Sequence, residues 1–154
     1  LQVRGPWIAS GYYRGAEVGA VNTRWLDTGD IGRIGPDGYV EVTDRAKDVI
    51  KSGGEWISSV ALEDAALSHP AVVQAAAIPV PHPKWQERPL LLLVARSDAT
   101  PDVDSVRRHL AAQLASWWLP DEILFVAEIP RTDTGKIDKL ALRRRYPAPQ
   151  PASA

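Results

Sequence analysis

A change of residue pattern at Asp48 constrains the fold of this chain more than any other feature of its sequence. Before Asp48, short apolar stretches alternate with turns rich in Gly, Pro and Asp, and no helical periodicity is present. After Asp48, the signals follow the order strand, helix, strand, strand, helix, strand and helix, over about 100 residues. This order predicts a small α+β domain in which helices flank a short, mostly antiparallel sheet.

The first half of this domain is predicted from apolar runs and a capping pair. Val49 to Ser52 is expected to form a strand, and Ser58-Ser59 can cap a helix that spans about 60–67. Buried strands follow at 72–80 and 90–95. The proline-rich segment 79–89 is expected to be the loop between them.

The second half is predicted to contain two helices around one strand. A helix opens at Thr100-Pro101, and its apolar stripe reaches Trp117, whose ring is assigned to the core. Residues 122–126 form a strand, and Asp138 can cap a basic helix that continues through Arg145.

Composition argues against several classes of function. The chain has 154 residues, 45% of them hydrophobic, and its 18 basic and 19 acidic side chains leave a net charge of −1. That balance disfavours a nucleic-acid-binding protein or a polybasic membrane anchor. The absence of Cys excludes thiolate catalysis and Cys-ligated metals, and three scattered His residues disfavour a zinc site; no metal-binding residue is predicted. No long apolar run or signal peptide is visible, so we expect a cytoplasmic location.

Three polar stretches carry the candidate chemistry. Residues 44–57 are DRAKDVIKSGGEWI, residues 25–30 are WLDTGD, and residues 130–136 are PRTDTGK. The adjacent glycines of the first stretch permit positive φ and close approach of a ligand to the backbone. Taken alone, such a pair is more typical of a tight turn between a strand and a helix. The order and spacing of all three stretches decide the interpretation.

Together these stretches resemble the C-terminal part of the adenylate-forming superfamily, which includes acyl-CoA synthetases, firefly luciferase and the adenylation domains of peptide synthetases. The resemblance runs from about Gly11, in a Gly-Tyr-Tyr segment, to about Arg144, and is strongest to long-chain and medium-chain fatty-acyl-CoA ligases. The family's phosphate loop and acyl pocket have no counterpart here, so we expect this chain to be a fragment.

The resemblance divides the chain into four segments. Residues 1–44 are the β-rich end of a large N-terminal domain, because they are too few to bury a core of their own. Residues 45–47 are a hinge linker, and residues 48–146 are the C-terminal α+β domain, which acts as a lid. Residues 147–154, rich in Pro and Ala, are expected to be a disordered tail.

The resemblance assigns a nucleotide-binding role to Asp30, Arg45, Lys51 and Trp56. A carboxylate at Asp30 can accept hydrogen bonds from both hydroxyls of a ribose, and Arg45 matches an arginine on the ribose or phosphate side. The alternatives are an Asx-turn at Asp30, a solvated charged linker around Arg45, and a core position for Trp56. Asp27 stands where many synthetases have His, and the effect of that difference is left open.

The same resemblance assigns a second set of residues to CoA and to domain motion. Gly53, Gly54 and Glu55 match the loop that lines the pantetheine channel, where missing side chains leave room for a narrow thiol arm. Lys47 matches the residue about which the two domains of the family pivot. For Lys47 the alternative is again a solvated charged linker.

Lys136 is the candidate catalytic residue. In adenylation, a carboxylate attacks the α-phosphate of ATP while negative charge builds on the phosphoryl oxygens. A lysine on a loop can bridge both reactants and stabilise that charge. Pro130, Thr134, Gly135 and Lys136 all match the family's closing motif; the alternative is an ordinary exposed lysine in a turn.

The implied parent enzyme is an ATP-dependent fatty-acyl-CoA synthetase that uses ATP, Mg²⁺ and CoA as substrates, none held tightly by this fragment. Its partners are the fatty acid and the large N-terminal domain, without nucleic acid; peripheral membrane contact is compatible with the family, and the oligomeric state is left open. We expect the isolated fragment to be inactive. One alternative is an adenylating enzyme that loads a carrier-protein phosphopantetheine. The other is a non-catalytic interaction module.

Overall fold

Two units of structure meet at the Lys47–Asp48 bond in the computed structural model, which describes residues 1–8, 25–100 and 102–147. The units are Leu1–Lys47 and Asp48–Ala154. The predicted Gly-Tyr-Tyr segment, Pro101 and all of the predicted tail except Pro147 lie outside the described residues.

The described residues of the first unit, 1–8 and 25–47, contain two antiparallel strand pairs. Strands β1 (Gln2–Val3) and β2 (Leu26–Asp27) form one pair, and β3 (Asp30–Ile34) and β4 (Val40–Arg45) form the other. The turn between β3 and β4 is closed by a hydrogen bond from Gly35 N–H to Tyr39 O at 2.8 Å.

The second unit is a five-stranded sheet with helices on its two faces. Its strands are β5 (Ile50–Ser52), β6 (Glu55–Ile57), β7 (Val72–His82), β8 (Gln86–Ala95) and β9 (Glu122–Phe125). Its helices are α1 (Ser59–Leu67), α2 (Val103–Ala111) and α3 (Lys139–Arg145). The order is β6-β5-β8-β7, with β9 parallel to β8 and the other pairings antiparallel. The predicted α+β class is confirmed.

The central strand β8 divides the core into two clusters because its side chains alternate between the faces of the sheet. Leu91 and Leu93 are fully buried in a cluster that also contains residues of α1 and α2. Leu90 and Leu92 are buried on the other face, together with Leu142 of α3. Each helix therefore contributes its apolar side chains to one face of the sheet.

The expectation of a loop over residues 79–89 is wrong, because β7 and β8 form one long hairpin through this segment. Pro79 lies opposite Pro89 in the register. Neither residue can donate, so this is a pair in which both backbone nitrogens point away from the partner strand. Among the described strands β7 pairs only with β8, and prolines at an edge strand remove no ladder hydrogen bond.

The predicted continuation of α2 to Trp117 is also wrong. The helix ends at Ala111, and residues 116–118 form a separate 3-10 turn. Trp117 is 45% exposed, whereas Trp118 packs against the core cluster of α1 and α2. The two indole rings meet edge to face with centroids 5.7 Å apart, so the predicted core position belongs to the neighbouring residue.

No helix in the described ranges has the length and apolar character needed to cross a lipid bilayer.

Candidate functional site

Asp30 and Arg45, both predicted to bind nucleotide, are brought together in the first unit. They are register partners at the ends of β3 and β4. The Nε of Arg45 lies 3.3 Å from Oδ1 of Asp30, in an ion pair that leaves both side chains partly exposed. In such a pair the carboxylate can accept hydrogen bonds from ribose hydroxyls, and the guanidinium can donate hydrogen bonds to a phosphate. The pair thus fits the predicted ligand.

The turn that presents Asp30 is built by its predecessors rather than by Asp30 itself. Asp27 Oδ1 accepts a hydrogen bond from Gly29 N–H at 2.9 Å, and Thr28 Oγ1 accepts one from Asp30 N–H at 3.1 Å. Gly29 has φ +70°, a conformation that glycine adopts without strain. In this structure the Asx-turn belongs to Asp27, so Asp27 shapes the turn, and the carboxylate of Asp30 is not used to close it.

Gly53 and Gly54 form the turn of the β5–β6 hairpin, between two strands rather than between a strand and a helix. Their φ angles are +61° and +91°. A Cβ on Gly53 would lie 2.8 Å from Cε3 of Trp85, whereas a Cβ on Gly54 would have nothing within 4 Å. The side of Gly53 is therefore filled by an indole ring. Open space for a ligand lies beside Gly54.

A pocket of about 270 Å³ lies next to this turn. Its lining comes from β5, β6, β8, the turns of the β5–β6 and β7–β8 hairpins and the segment before β9: Ser52, Gly53, Glu55, Trp85, Arg88, Trp117 and Asp121. The charges at its rim are mixed, and the indole rings supply apolar surface.

Arg88 holds the walls of the pocket together. Its guanidinium pairs with Asp121 at 2.8 Å and donates to Ser52 Oγ at 3.0 Å. It also donates to the carbonyl oxygens of Trp117 and Leu119 at 2.9 and 2.7 Å. A planar fork of five N–H donors is needed to serve so many acceptors at once. The sequence assigned no role to Arg88, because none of these partners is near it in the chain.

Lys51 and Trp56 share the other face of the β5–β6 hairpin. They are cross-strand partners, one position removed from the Ser52–Glu55 pair that faces the pocket. Because side chains alternate along a strand, the predicted nucleotide residues and Glu55 point to opposite faces. Trp56 is 58% exposed and is therefore not a core residue.

Lys136 lies at the end of a tight hairpin over residues 130–138. Thr132 N–H donates to Lys136 O at 2.7 Å, and Gly135 N–H donates to Thr132 O at 2.8 Å. Arg131 NH1 donates to Gly135 O at 2.8 Å, and an antiparallel bridge joins Arg131 to Ile137. The hairpin thus holds the backbone of Lys136 while its side chain stays exposed, and within the described residues that side chain makes no ion pair.

The hairpin leads directly into α3. Asp138 N–H donates to Pro130 O at 2.9 Å, which closes the base of the hairpin. The side chain of Asp138 accepts from Ala141 N–H at 2.9 Å and caps the helix, as predicted. The predicted hinge residue Lys47 is exposed in the turn after β4, and its pivoting role stays a prediction.

Within the ranges 1–8, 25–100 and 102–147, no group of three His, Asp or Glu side chains could hold a metal ion.

Comparison with known proteins supports the sequence resemblance. Residues 61–136 match the family model of the AMP-binding enzyme C-terminal domain. The chain is 49% identical over 150 residues to a long-chain-fatty-acid–CoA ligase of Thermus thermophilus, covering 95% of the chain and 28% of that protein. It is 44% identical over 146 residues to a medium-chain-fatty-acid–CoA ligase of Ectopseudomonas oleovorans, covering 95% of the chain and 27% of that protein.

A solved structure of a CoA ligase is also similar to this chain. The anthranilate CoA ligase AuaEII, determined in complex with anthranoyl-AMP, superposes with a TM-score of 0.84 and 30% identity. That match covers 95% of this chain and 29% of the ligase. The chain thus spans less than a third of the length of each of these relatives. Its resemblance to the adenylate-forming enzymes is confirmed, and residues 61–136 carry the match to the AMP-binding enzyme C-terminal domain family.

Proposed function

We propose that this chain is the C-terminal part of an ATP-dependent fatty-acyl-CoA ligase. In the first half-reaction, a carboxylate oxygen of the acid attacks the α-phosphorus of ATP, presented as its Mg²⁺ complex, and pyrophosphate leaves. In the second, the thiol of CoA loses its proton and attacks the acyl carbonyl, and AMP leaves. Two of the relatives named above, those of Thermus thermophilus and Ectopseudomonas oleovorans, are ligases of long-chain and medium-chain fatty acids, which supports this substrate class.

The observation that carries the proposal is the presentation of Lys136. A short hairpin fixes its backbone through hydrogen bonds on both sides, and its ammonium group is exposed. A fixed backbone with a free cation suits a residue that meets charge only in the transition state, because little reorganisation is needed at that moment. An ordinary surface lysine does not require a hairpin with this many internal hydrogen bonds.

The remaining residues take the roles that the family implies. Asp30 and Arg45 bind the ribose and the phosphate side of the nucleotide, where their ion pair already orients both groups. Lys51 and Trp56 offer a cation and an aromatic face on one side of the β5–β6 hairpin for the nucleotide. Gly54 and Glu55 face the thiol arm of CoA. Lys47 is the pivot between the two half-reactions.

A chimera tests this function. The matching C-terminal part of the Thermus thermophilus ligase is replaced by this chain, and thioester formation from ATP, CoA and long-chain acids is measured. We expect the chimera to make acyl-CoA, and we expect its Lys136→Ala variant to release pyrophosphate at least about 100-fold more slowly. A chimera that keeps full activity without Lys136 would refute the assignment.

Two further measurements address the identity of the acyl acceptor and the activity of the isolated chain. Free CoA and a carrier protein bearing phosphopantetheine are offered to the chimera in parallel, and we expect thioester on CoA. The isolated 154-residue chain is expected to give no thioester above background with ATP, CoA and a panel of fatty acids. Turnover by the isolated chain would show that it does not depend on a larger domain.

A further inference from the structure

A second lysine, Lys139, lies three positions after Lys136 and is held in the interior. Its Nζ pairs with Oε1 of Glu63 on α1 at 2.7 Å, and it donates to Oγ of Ser59 at 2.7 Å. The side chains of Lys139 and Glu63 are each 12% exposed, and Ser59 is fully buried. The same Glu63 oxygen accepts a hydrogen bond from Ala77 N–H on β7 at 2.8 Å. This ion pair therefore ties α3 to both α1 and the sheet.

From this arrangement we propose that Lys139 is a positioning residue for Lys136, an inference that rests on the proposed function. Lys139 is the first residue of α3, and the base of the Lys136 hairpin is bonded to the residue just before it. The hairpin and the first turn of α3 are consequently one continuous backbone structure. Any rotation or shift of that turn is passed to Lys136.

An ion pair suits this task better than apolar packing alone. Helix α3 has only seven residues; its buried apolar contact is Leu142, at its middle, and the next residue, Arg143, pairs with Asp48. Neither contact lies in the first turn of the helix, whereas the ammonium group of Lys139, with two fixed acceptors, holds that turn in one orientation. Buried ion pairs add little net stability compared with apolar residues of the same size. The effect of Lys139 is thus expected in geometry rather than in the free energy of folding.

The test variant removes the tether without leaving a buried charge. Lys139→Met alone would strand the Glu63 carboxylate, so it is combined with Glu63→Gln, which keeps an amide oxygen for Ala77 N–H. Lys139→Arg is the conservative variant, and it should keep the ion pair and the behaviour of the unaltered chain. Arg144→Met, at an exposed position of the same helix, is the matched control for loss of one positive charge.

The first readout needs no enzyme activity. Amide hydrogen exchange is measured in the 154-residue chain at Thr132 and Gly135, with the amides of β8 as internal reference for global opening. We expect the exchange at Thr132 and Gly135, relative to β8, to be several-fold faster in the double variant. Lys139→Arg and Arg144→Met should match the unaltered chain. An unchanged ratio in the double variant would overturn the proposal, whatever its global stability.

The second readout is the split between the half-reactions in the active ligase or chimera. For the double variant we expect kcat of pyrophosphate release to fall about 100-fold, because a misplacement of about 1 Å can have that effect. KM for ATP and conversion of supplied acyl-adenylate to thioester should stay unchanged. A double variant with unaltered kcat would refute the positioning role. If instead Lys136→Ala keeps adenylation, the proposed function fails, while the exchange ratio still decides whether Lys139 fixes the hairpin.

Discussion

Asp48, the first residue of the second unit, forms an ion pair with Arg143 of α3, which lies 95 positions later in the chain. Both side chains are mostly buried. The pair joins the entry of the domain to its last helix, the helix that continues the Lys136 hairpin.

Asp48→Asn should therefore destabilise the second unit. A charged hydrogen bond of this kind contributes about 2 kcal/mol, so we expect the free energy of unfolding in guanidinium chloride to fall by about that amount. Arg144→Ala, on the exposed side of the same helix, should change it by less than about 0.5 kcal/mol. Equal effects of the two substitutions would contradict a specific role of the Asp48–Arg143 pair.

The two glycines of the β5–β6 turn should respond differently to alanine. Gly54→Ala places a Cβ in open space, so its cost is that of the positive φ, about 1 kcal/mol. Gly53→Ala has the same backbone cost and also collides with the ring of Trp85. We expect Gly53→Ala to be the more destabilising in denaturant titrations, and Trp85→Ala to remove the difference. If the difference persists without Trp85, the ring is not its cause.

Local signals in the sequence predict structure correctly where a residue acts on its neighbours in the chain. Ser58 caps α1 through Ala61 N–H at 3.2 Å, as the Ser-Ser pair predicted. Asp138 caps α3 in the same way. The β7–β8 hairpin was missed because prolines usually mark a loop, and only the pairing pattern shows that their nitrogens face away from the partner strand.

In the candidate site, too, contacts between residues far apart in the chain could not be predicted from the sequence. Asp30 and Arg45 were both predicted, but their pairing depends on the register of β3 and β4. Arg88 and Lys139 were missed, since each serves partners that are 29 to 80 positions away. Their only signal in the sequence is a long basic side chain, which on most surfaces is simply solvated.

Substitutions of Lys136 and Gly54 should each impair a different half-reaction of the ligase. Lys136→Ala removes charge stabilisation of the adenylation transition state, so pyrophosphate release should fall by about 100-fold or more. It should leave conversion of supplied acyl-adenylate to thioester largely intact. Asp133→Asn, exposed on the same hairpin, is the control and should change neither step. Gly54→Phe should have the opposite effect: it should slow thioester formation and leave pyrophosphate release largely intact. Equal loss of both steps in both variants would favour one static site over two alternating ones.

Lys47→Pro tests the hinge. Proline fixes φ near −65°, which restricts the dihedral change that a pivot must absorb. We expect near-normal pyrophosphate release and slower single-turnover thioester formation. Lys47→Ala keeps the backbone free and should be close to the unaltered enzyme. A proline variant with an unimpaired thioester step would place the pivot elsewhere.

His69 should make the second unit less stable in acid. Burial lowers the pKa of His69 below its ordinary value of 6.5; nearby His109 lowers it further, and Asp102 opposes the shift. The ring accepts a hydrogen bond from Ala71 N–H at Nδ1, which protonation would remove.

Because the unfolded chain binds the proton more readily, the contribution of His69 is complete above about pH 6.5 and is lost as the pH falls below that value toward the lower pKa of the folded state. We expect the free energy of unfolding to decrease between about pH 7.5 and 5.5. His69→Asn, which can keep an acceptor for Ala71 N–H, should show a weaker pH dependence. An identical pH dependence in this variant would assign the effect to another group.

The outer edge of β7 also determines how the domain behaves toward other chains. Along this edge the N–H of Ala77 donates to the carboxylate of Glu63, and the next two outward positions are Pro79 and Pro81, which have no N–H. A row of unpaired donors and acceptors is what lets one sheet add a strand from another molecule. Here three consecutive donor positions are closed, so the longest strand of the domain is a poor template for edge-to-edge aggregation.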